Sequence, residues 1–166
     1  MFNENLVFVL DVDGVITSGH MVYSKYGKDY KIFGPDDFDA LKELLNYMDI
    51  HFITADLRGL PITQKRIEEE MNWKMDFVSG SPNDRWKWII NEYPNKNIIF
   101  MGDGIYDFVC LRNSILSITT NDALPHIKDS AQYITSRTGG NRAVAEACLY
   151  IMRYYNLDWI RKYDSK

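Results

Sequence analysis

Three short apolar runs, each ending in oxygen-bearing side chains, constrain this chain more than any other feature. Leu6-Val7-Phe8-Val9-Leu10 runs into Asp11-Val12-Asp13-Gly14, and Ile50-His51-Phe52-Ile53 ends in Thr54. Asn97-Ile98-Ile99-Phe100-Met101 leads into Gly102-Asp103-Gly104-Ile105-Tyr106-Asp107. Runs of β-branched and large apolar residues suit strands buried on both faces of a parallel sheet, and such sheets hold ligands at the carboxyl ends of their strands. Helix-like segments separate the runs, so the strands build a right-handed α/β sheet whose tips converge on one face. Asp11, Asp13, Thr54, Asp103 and Asp107 would then share a site. Adjacent carboxylates repel and are costly to desolvate, and a bound cation offsets both. Oxygen ligands from several strand ends suit a hard divalent cation such as Mg²⁺.

The remaining pattern fills in the architecture. Strands are expected near 6–10, 50–54, 75–79, 97–101 and 115–119, with a weak one near 132–135. Leu41, Leu44 and Leu45 mark a helix over 38–47, and Pro61 sits in the first turn of another over 60–71. Ser81-Pro82-Asn83-Asp84 opens a helix whose apolar face is read as Trp86, Ile89, Ile90 and Tyr93. A last helix covers 143–155, followed by a polar tail over 156–166. With 166 residues, the chain fits one domain, 1–166, with a sizeable core.

Composition excludes several classes of partner. Lys and Arg number 19 against 23 Asp and Glu, a net charge of −4 with no basic block, so nucleic acid is not expected. The apolar run after the N-terminal residues is too short for a signal or a membrane span, which gives a cytoplasmic address. Cys110 and Cys148 lack metal-ligand spacing and read as reduced core thiols. The three histidines are scattered, without zinc spacing.

Asp11-Val12-Asp13-Gly14-Val15, Thr54, a basic residue near 85, and Gly102-Asp103 with Asp107 resemble, in order and spacing, the four motifs of the haloacid dehalogenase superfamily. Within it the chain is most similar to the small, cap-lacking phosphatases of 3-deoxy-octulosonate 8-phosphate and nonulosonate 9-phosphates. The resemblance runs from about Leu6 to about Met152. It includes the hairpin-like stretch Met21 to Phe33, Asp37, and Arg137-Thr138-Gly139-Gly140.

The resemblance implies a Rossmann-like three-layer α/β/α fold with a mostly parallel sheet, a small β-hairpin after the first strand and no large cap. It implies a phosphoric monoester hydrolase in which Asp11 is the nucleophile, forming an aspartyl-phosphate. Asp13 is general acid and then base, a role worth roughly 10²–10⁴ in rate. Asp11, the Asp13 carbonyl and Asp103 would ligate Mg²⁺, with Asp107 behind them. Thr54 and the third-motif cation would hold the phosphoryl oxygens. Arg85 matches that motif's register and Lys87 is its rival. Asp37, Arg58, Arg137, Gly139 and Gly140 are candidate substrate contacts, as is Lys87.

The substrate would be a small phosphorylated metabolite, a sugar or sugar-acid phosphate. Two other readings share the fold: a non-catalytic regulatory domain like those fused to sialic-acid cytidylyltransferases, and a phosphotransferase or mutase. Where the resembling enzymes place glycine and arginine after the motif threonine, this chain has Ala55 and Asp56, with Arg58 two positions on. The 20–33 hairpin has no partner in the parallel sheet, and an isolated hairpin is marginal. The resembling enzymes use it to assemble a homotetramer, so a homo-oligomer is expected.

Overall fold

The computed structural model describes residues 5–157. The expected tail therefore lies, from residue 158 on, outside the described residues. Six parallel strands form one sheet: β1 (Leu6–Asp11), β4 (Asp49–Thr54), β5 (Lys74–Phe77), β6 (Asn97–Met101), β7 (Leu116–Thr119) and β8 (Tyr133–Ile134). Their order is β5-β4-β1-β6-β7-β8. The chain leaves the central strand β1 on one side to make β4 and β5, then crosses to β6 on the other. That reversal opens a crevice at the carboxyl ends of β1 and its neighbours, where open α/β sheets bind ligands.

Strand character follows from burial on both faces. Phe8 and Val9 point to opposite sides of β1, and both are fully buried. Leu6, Phe8, Leu10, Ile50 and Phe52 pack toward helices α1 (Asp37–Leu44) and α6 (Ala143–Tyr154), meeting Leu41, Leu44, Val144, Ala147, Cys148 and Ile151. Val7, Val9, Ile53 and Phe100 pack against Ile89 of α3 (Pro82–Glu92) and Cys110 and Leu111 of α4 (Phe108–Asn113). Each large side chain so buried contributes roughly 1.5–3 kcal/mol. The short helices α4 and α5 (Pro125–Lys128) carry too few turns to reveal a period in the sequence.

The expected helix over 60–71 is present: after a 3-10 turn at Leu57–Gly59, α2 (Leu60–Gln64) runs without a break into a wider helical segment over Lys65–Glu70. Two expectations need correction. On α3 Trp86, Ile89 and Tyr93 face the core as expected, joined by Trp88 and by the buried Arg85, while Ile90 is 40% exposed. The departure is at Ile90 alone, whose expected inward place is not taken. The hairpin begins earlier than 20: β2 (Thr17–Ser24) pairs antiparallel with β3 (Gly27–Phe33) in a sheet of its own, starting at Thr17 against Phe33.

Asp37 does structural work. It is buried at the start of α1, and one of its oxygens accepts the Ala145 N–H at 2.8 Å, capping α6 from a neighbouring helix. Burial pushes its carboxyl up to about 6, against the backbone hydrogen bond. The α1–α6 contact is tightened further by an ion pair between Asp36 and Arg142, both in the left-handed region.

Candidate active site

Sheet register brings the strand tips together. Leu10 lies level with Met101 on β6, and Asp11 with Ile53 on β4, so Asp11 projects between Thr54 and the Gly102-Asp103 turn. A cleft of about 270 Å³ opens there, lined by Asp11, Asp13, Thr54, Asp56, Arg85 and Asp107 among others. Met21, Ile105 and Tyr106 give it apolar surface.

After β1 the backbone must turn sharply, and Gly14 makes this possible with φ +86°. A Cβ there would come within 2.1 Å of an Asp103 carboxylate oxygen, so the absent side chain is also what lets the two strand tips meet. Gly139 supports the same turn from behind: a Cβ on it would lie 1.9 Å from the Gly14 carbonyl oxygen. The Gly140 N–H donates to the Val15 carbonyl at 3.0 Å. These two glycines therefore touch the turn that follows β1 through backbone, and neither lines the cleft.

Asp11, Asp103 and Asp107 each offer a carboxylate oxygen within 4.8 Å of the others. Burial, with the charge of Asp107, pushes Asp11 up to about 7 despite Arg85 beside it. Burial and the charges of Asp11 and Asp107 push Asp103 up to about 8. Asp103 Oδ1 is buried and makes no hydrogen bond. Three crowded carboxylates, one with an unpartnered buried oxygen, form a donor set that fits a hard divalent cation. The Asp13 carboxylate points elsewhere, toward Lys31.

Asp107 is the best-anchored member of the trio. One oxygen accepts the N–H groups of Asp103 at 3.1 Å and Gly104 at 2.9 Å, and the other accepts from Arg85 Nη1. It thereby shapes the turn that carries Asp103. Arg85 also donates from Nη2 to Asp11 Oδ1 at 2.8 Å. Burial works to discharge the guanidinium, but Asp11 and Asp107 hold it firmly protonated.

The start of α3 explains how that arginine is aimed. Ser81 and Asp84 form a reciprocal capping box, with Pro82 in the first turn, and this fixes where the helix begins. Arg85 then falls on the buried face, one turn in. Lys87 is exposed and makes no part of the cleft lining, and Arg58 and Arg137 are likewise exposed and outside it. The sequence reading missed Lys28 and Lys31, which reach into the site from β3. No local pattern in that strand marks them: β3 reads Gly-Lys-Asp-Tyr-Lys-Ile-Phe, and its buried and exposed positions do not alternate.

No protein-family model matches the chain. It is 26% identical over 147 residues to the 3-deoxy-D-manno-octulosonate 8-phosphate phosphatase KdsC of Haemophilus influenzae, covering 86% of this chain and 81% of that one. The Escherichia coli K12 KdsC is 26% identical over 152 residues, covering 87% and 78%. Among solved structures, the cobalt-bound Haemophilus influenzae enzyme superposes with a TM-score of 0.81 at 21% identity, over 93% of this chain and 90% of that one. This chain carries the haloacid dehalogenase fold. The Moraxella catarrhalis phosphatase, solved with magnesium, phosphate and KDO, shares the fold with a TM-score of 0.76 at 22% identity, over 90% and 87%.

Proposed function

We propose that this protein is a Mg²⁺-dependent phosphomonoesterase that hydrolyses a small phosphorylated sugar through an aspartyl-phosphate. The observation that carries this reading is the buried constellation of Asp11, Arg85, Asp103 and Asp107 at the tips of the central strands, beside Asp13 and Thr54. Similarity to phosphatases named for a sugar-acid phosphate supports the substrate class.

In this reading each side chain has a task. Asp11 attacks phosphorus in line with the departing oxygen. Asp13 gives that oxygen its proton and afterwards takes one from the attacking water. Arg85, fixed between Asp11 and Asp107, together with Thr54 binds the phosphoryl oxygens where charge develops. Asp11, Asp103 and the Asp13 carbonyl would hold Mg²⁺, which when bound neutralises charge on the nucleophile and the transferring group.

On the cleft wall Asp56 stands where the resembling enzymes have a cation, and Arg58 does not replace it. Asp56 is ion-paired with both Lys28 and Lys31, which leaves this wall without the free cation that would hold a sugar carboxylate, so a neutral sugar phosphate suits the cleft better than a sugar acid. Screening neutral sugar phosphates, sugar-acid phosphates and nucleotides for Mg²⁺-dependent phosphate release tests the reading. Release from none of them would contradict it. Two buried free thiols and the absence of any helix among the described residues long enough to cross a membrane suit a cytoplasmic enzyme.

Metal binding has a pH signature. Asp11 near 7 and Asp103 near 8 lie above the unfolded carboxyl value of 3.8, so the folded state binds these protons more tightly. Stability they contribute is full below about pH 4. It is lost as pH rises through 7 to 8, where ionised acids crowd together. A cation binding the ionised cluster reverses that loss, by about 2.7 kcal/mol at a hundred times its Kd. Thermal unfolding should therefore show a larger Mg²⁺-induced rise in Tm at pH 8 than at pH 5. An equal rise at both, or none, would contradict the assignment.

The hairpin supports self-association. Met21, Val22, Tyr23, Tyr26, Tyr30 and Ile32 are all at least 41% exposed on a two-stranded sheet. Exposed apolar patches of this kind mark protein interfaces. A homotetramer built through β2 and β3 is the expected assembly. Replacing Tyr23 and Tyr30 with serine should lower the sedimentation coefficient to that of a monomer. A wild-type protein that sediments as a fully active monomer at micromolar concentration would defeat the expectation.

A further inference from the structure

Lys31 lies on β3, opposite Met21 in the hairpin, yet its side chain is fully buried and its ammonium reaches the cleft. It has three acceptors. Nζ is 2.9 Å from both oxygens of Asp13, 2.9 Å from Asp56 Oδ2 and 2.8 Å from Thr63 Oγ1. An ammonium has three N–H donors, so these partners use all of them and leave none for a substrate. The surroundings are shaped to hold this tripod. Thr63 sends its own hydroxyl proton to the Gly59 carbonyl at 3.1 Å, which turns its lone pairs toward Lys31. A Cβ on Gly59 would lie 2.4 Å from Lys31 Cε, so that glycine makes room for the stem. Asp56 is fixed in turn by Lys28 and by its own N–H, which donates to Thr54 Oγ1 at 3.1 Å.

We propose that Lys31 is a positioning residue for Asp13: its anchored ammonium fixes the carboxyl in the orientation from which it serves the leaving-group oxygen. The inference rests on the reading of Asp13 as the proton donor of a phosphomonoesterase. In that step an Asp11 oxygen bonds to phosphorus while the bond from phosphorus to the leaving group breaks. The leaving oxygen keeps the bonding electron pair and takes the proton of Asp13, which ends as a carboxylate facing the Lys31 ammonium. A side chain with several rotamers, held from one side by a fixed cation, spends more of its time aligned for this transfer. Asp56 then acts as the anchor of Lys31.

The test separates aiming a proton from merely holding the fold. A p-nitrophenolate leaves without being protonated, whereas a sugar alkoxide does not, and kcat/KM reports only the steps up to departure of the leaving group. Wild-type, Lys31→Met and Asp56→Asn proteins are assayed with Mg²⁺ on p-nitrophenyl phosphate, phenyl phosphate and a hexose phosphate that the wild type hydrolyses, with melting curves to establish folding. Lys31→Met should lose at least ~10-fold more kcat/KM on the hexose phosphate than on p-nitrophenyl phosphate, with phenyl phosphate between. Asp56→Asn, which loosens the anchor but keeps the ammonium, should show the same trend at smaller size. Equal losses on all three substrates in a folded Lys31→Met protein, or no loss, would overturn the proposal. If Lys31→Met does not fold, a leaving-group-independent effect of Asp56→Asn overturns it instead. A wild-type protein inactive on every phosphomonoester sinks the activity reading itself, a result distinct from a leaving-group-independent loss.

Discussion

Asp11→Asn is expected to cut Mg²⁺-dependent phosphate release by about 10⁴-fold or more, the scale at which a covalent nucleophile is lost. The change removes the nucleophilic charge and keeps the volume of a side chain that is 8% exposed, so packing around β1 is unaltered. It also relieves repulsion. Asp11 and Asp103 sit in one another's field, and burial already pushes both carboxyls far above their ordinary range. Without metal at pH 8, the variant should therefore melt no lower than wild type while being inactive. This pairing of lost activity with retained stability is what a functional cluster held together against its own charge would show. Activity within tenfold of wild type would remove Asp11 from the mechanism.

Arg85→Ala is the second large effect. Its guanidinium bridges Asp11 and Asp107 from the buried face of α3, one turn after a capping box that fixes the start of the helix. Loss of one preorganised donor to the phosphoryl group should lower turnover by at least ~10²-fold. Stability should fall too, by about 3–5 kcal/mol, because two buried carboxylates lose their partner. Arg85→Lys separates the two effects: it keeps the positive charge, loses the fork that reaches both acids, and should retain part of the activity. Lys87→Ala, on the exposed side of the helix, should change kcat/KM less than twofold. Near-normal kinetics in Arg85→Ala together with a collapse in Lys87→Ala would reverse the assignment.

The site was legible where chemistry coincides with strand ends. Apolar runs that stop at Asp11, Thr54 and Asp103 announce both the sheet and its active edge, because a strand buried on two faces can carry polar groups only at its tip. Motif register singles out Arg85, but its burial was not legible: an apolar pattern puts Ile90 inward with Trp86, Ile89 and Tyr93, whereas the structure buries Arg85 and leaves Ile90 exposed. Lys31 was not legible. In a strand rich in tyrosine and charge, nothing local tells that Lys31 passes Gly59 to meet Asp13, that Lys28 is drawn in beside it to Asp56, and that Lys25 stays exposed. That contact joins residues far apart in sequence and exists only once the hairpin has folded back over the carboxyl end of the sheet. Asp37 was the converse case. Its motif position suggested a substrate contact, and its partner proves to be the backbone of a distant helix.

The central claim, that Asp11 carries the phosphoryl group, is tested most directly by trapping it. Protein mixed with a labelled phosphomonoester and Mg²⁺ is quenched in acid within the first turnover and digested. Label should appear on the peptide that contains Asp11, be released by hydroxylamine as an acyl phosphate is, and be absent from the Asp11→Asn variant. Steady release of phosphate with label never found on the protein, or found on a residue other than Asp11, would contradict the account.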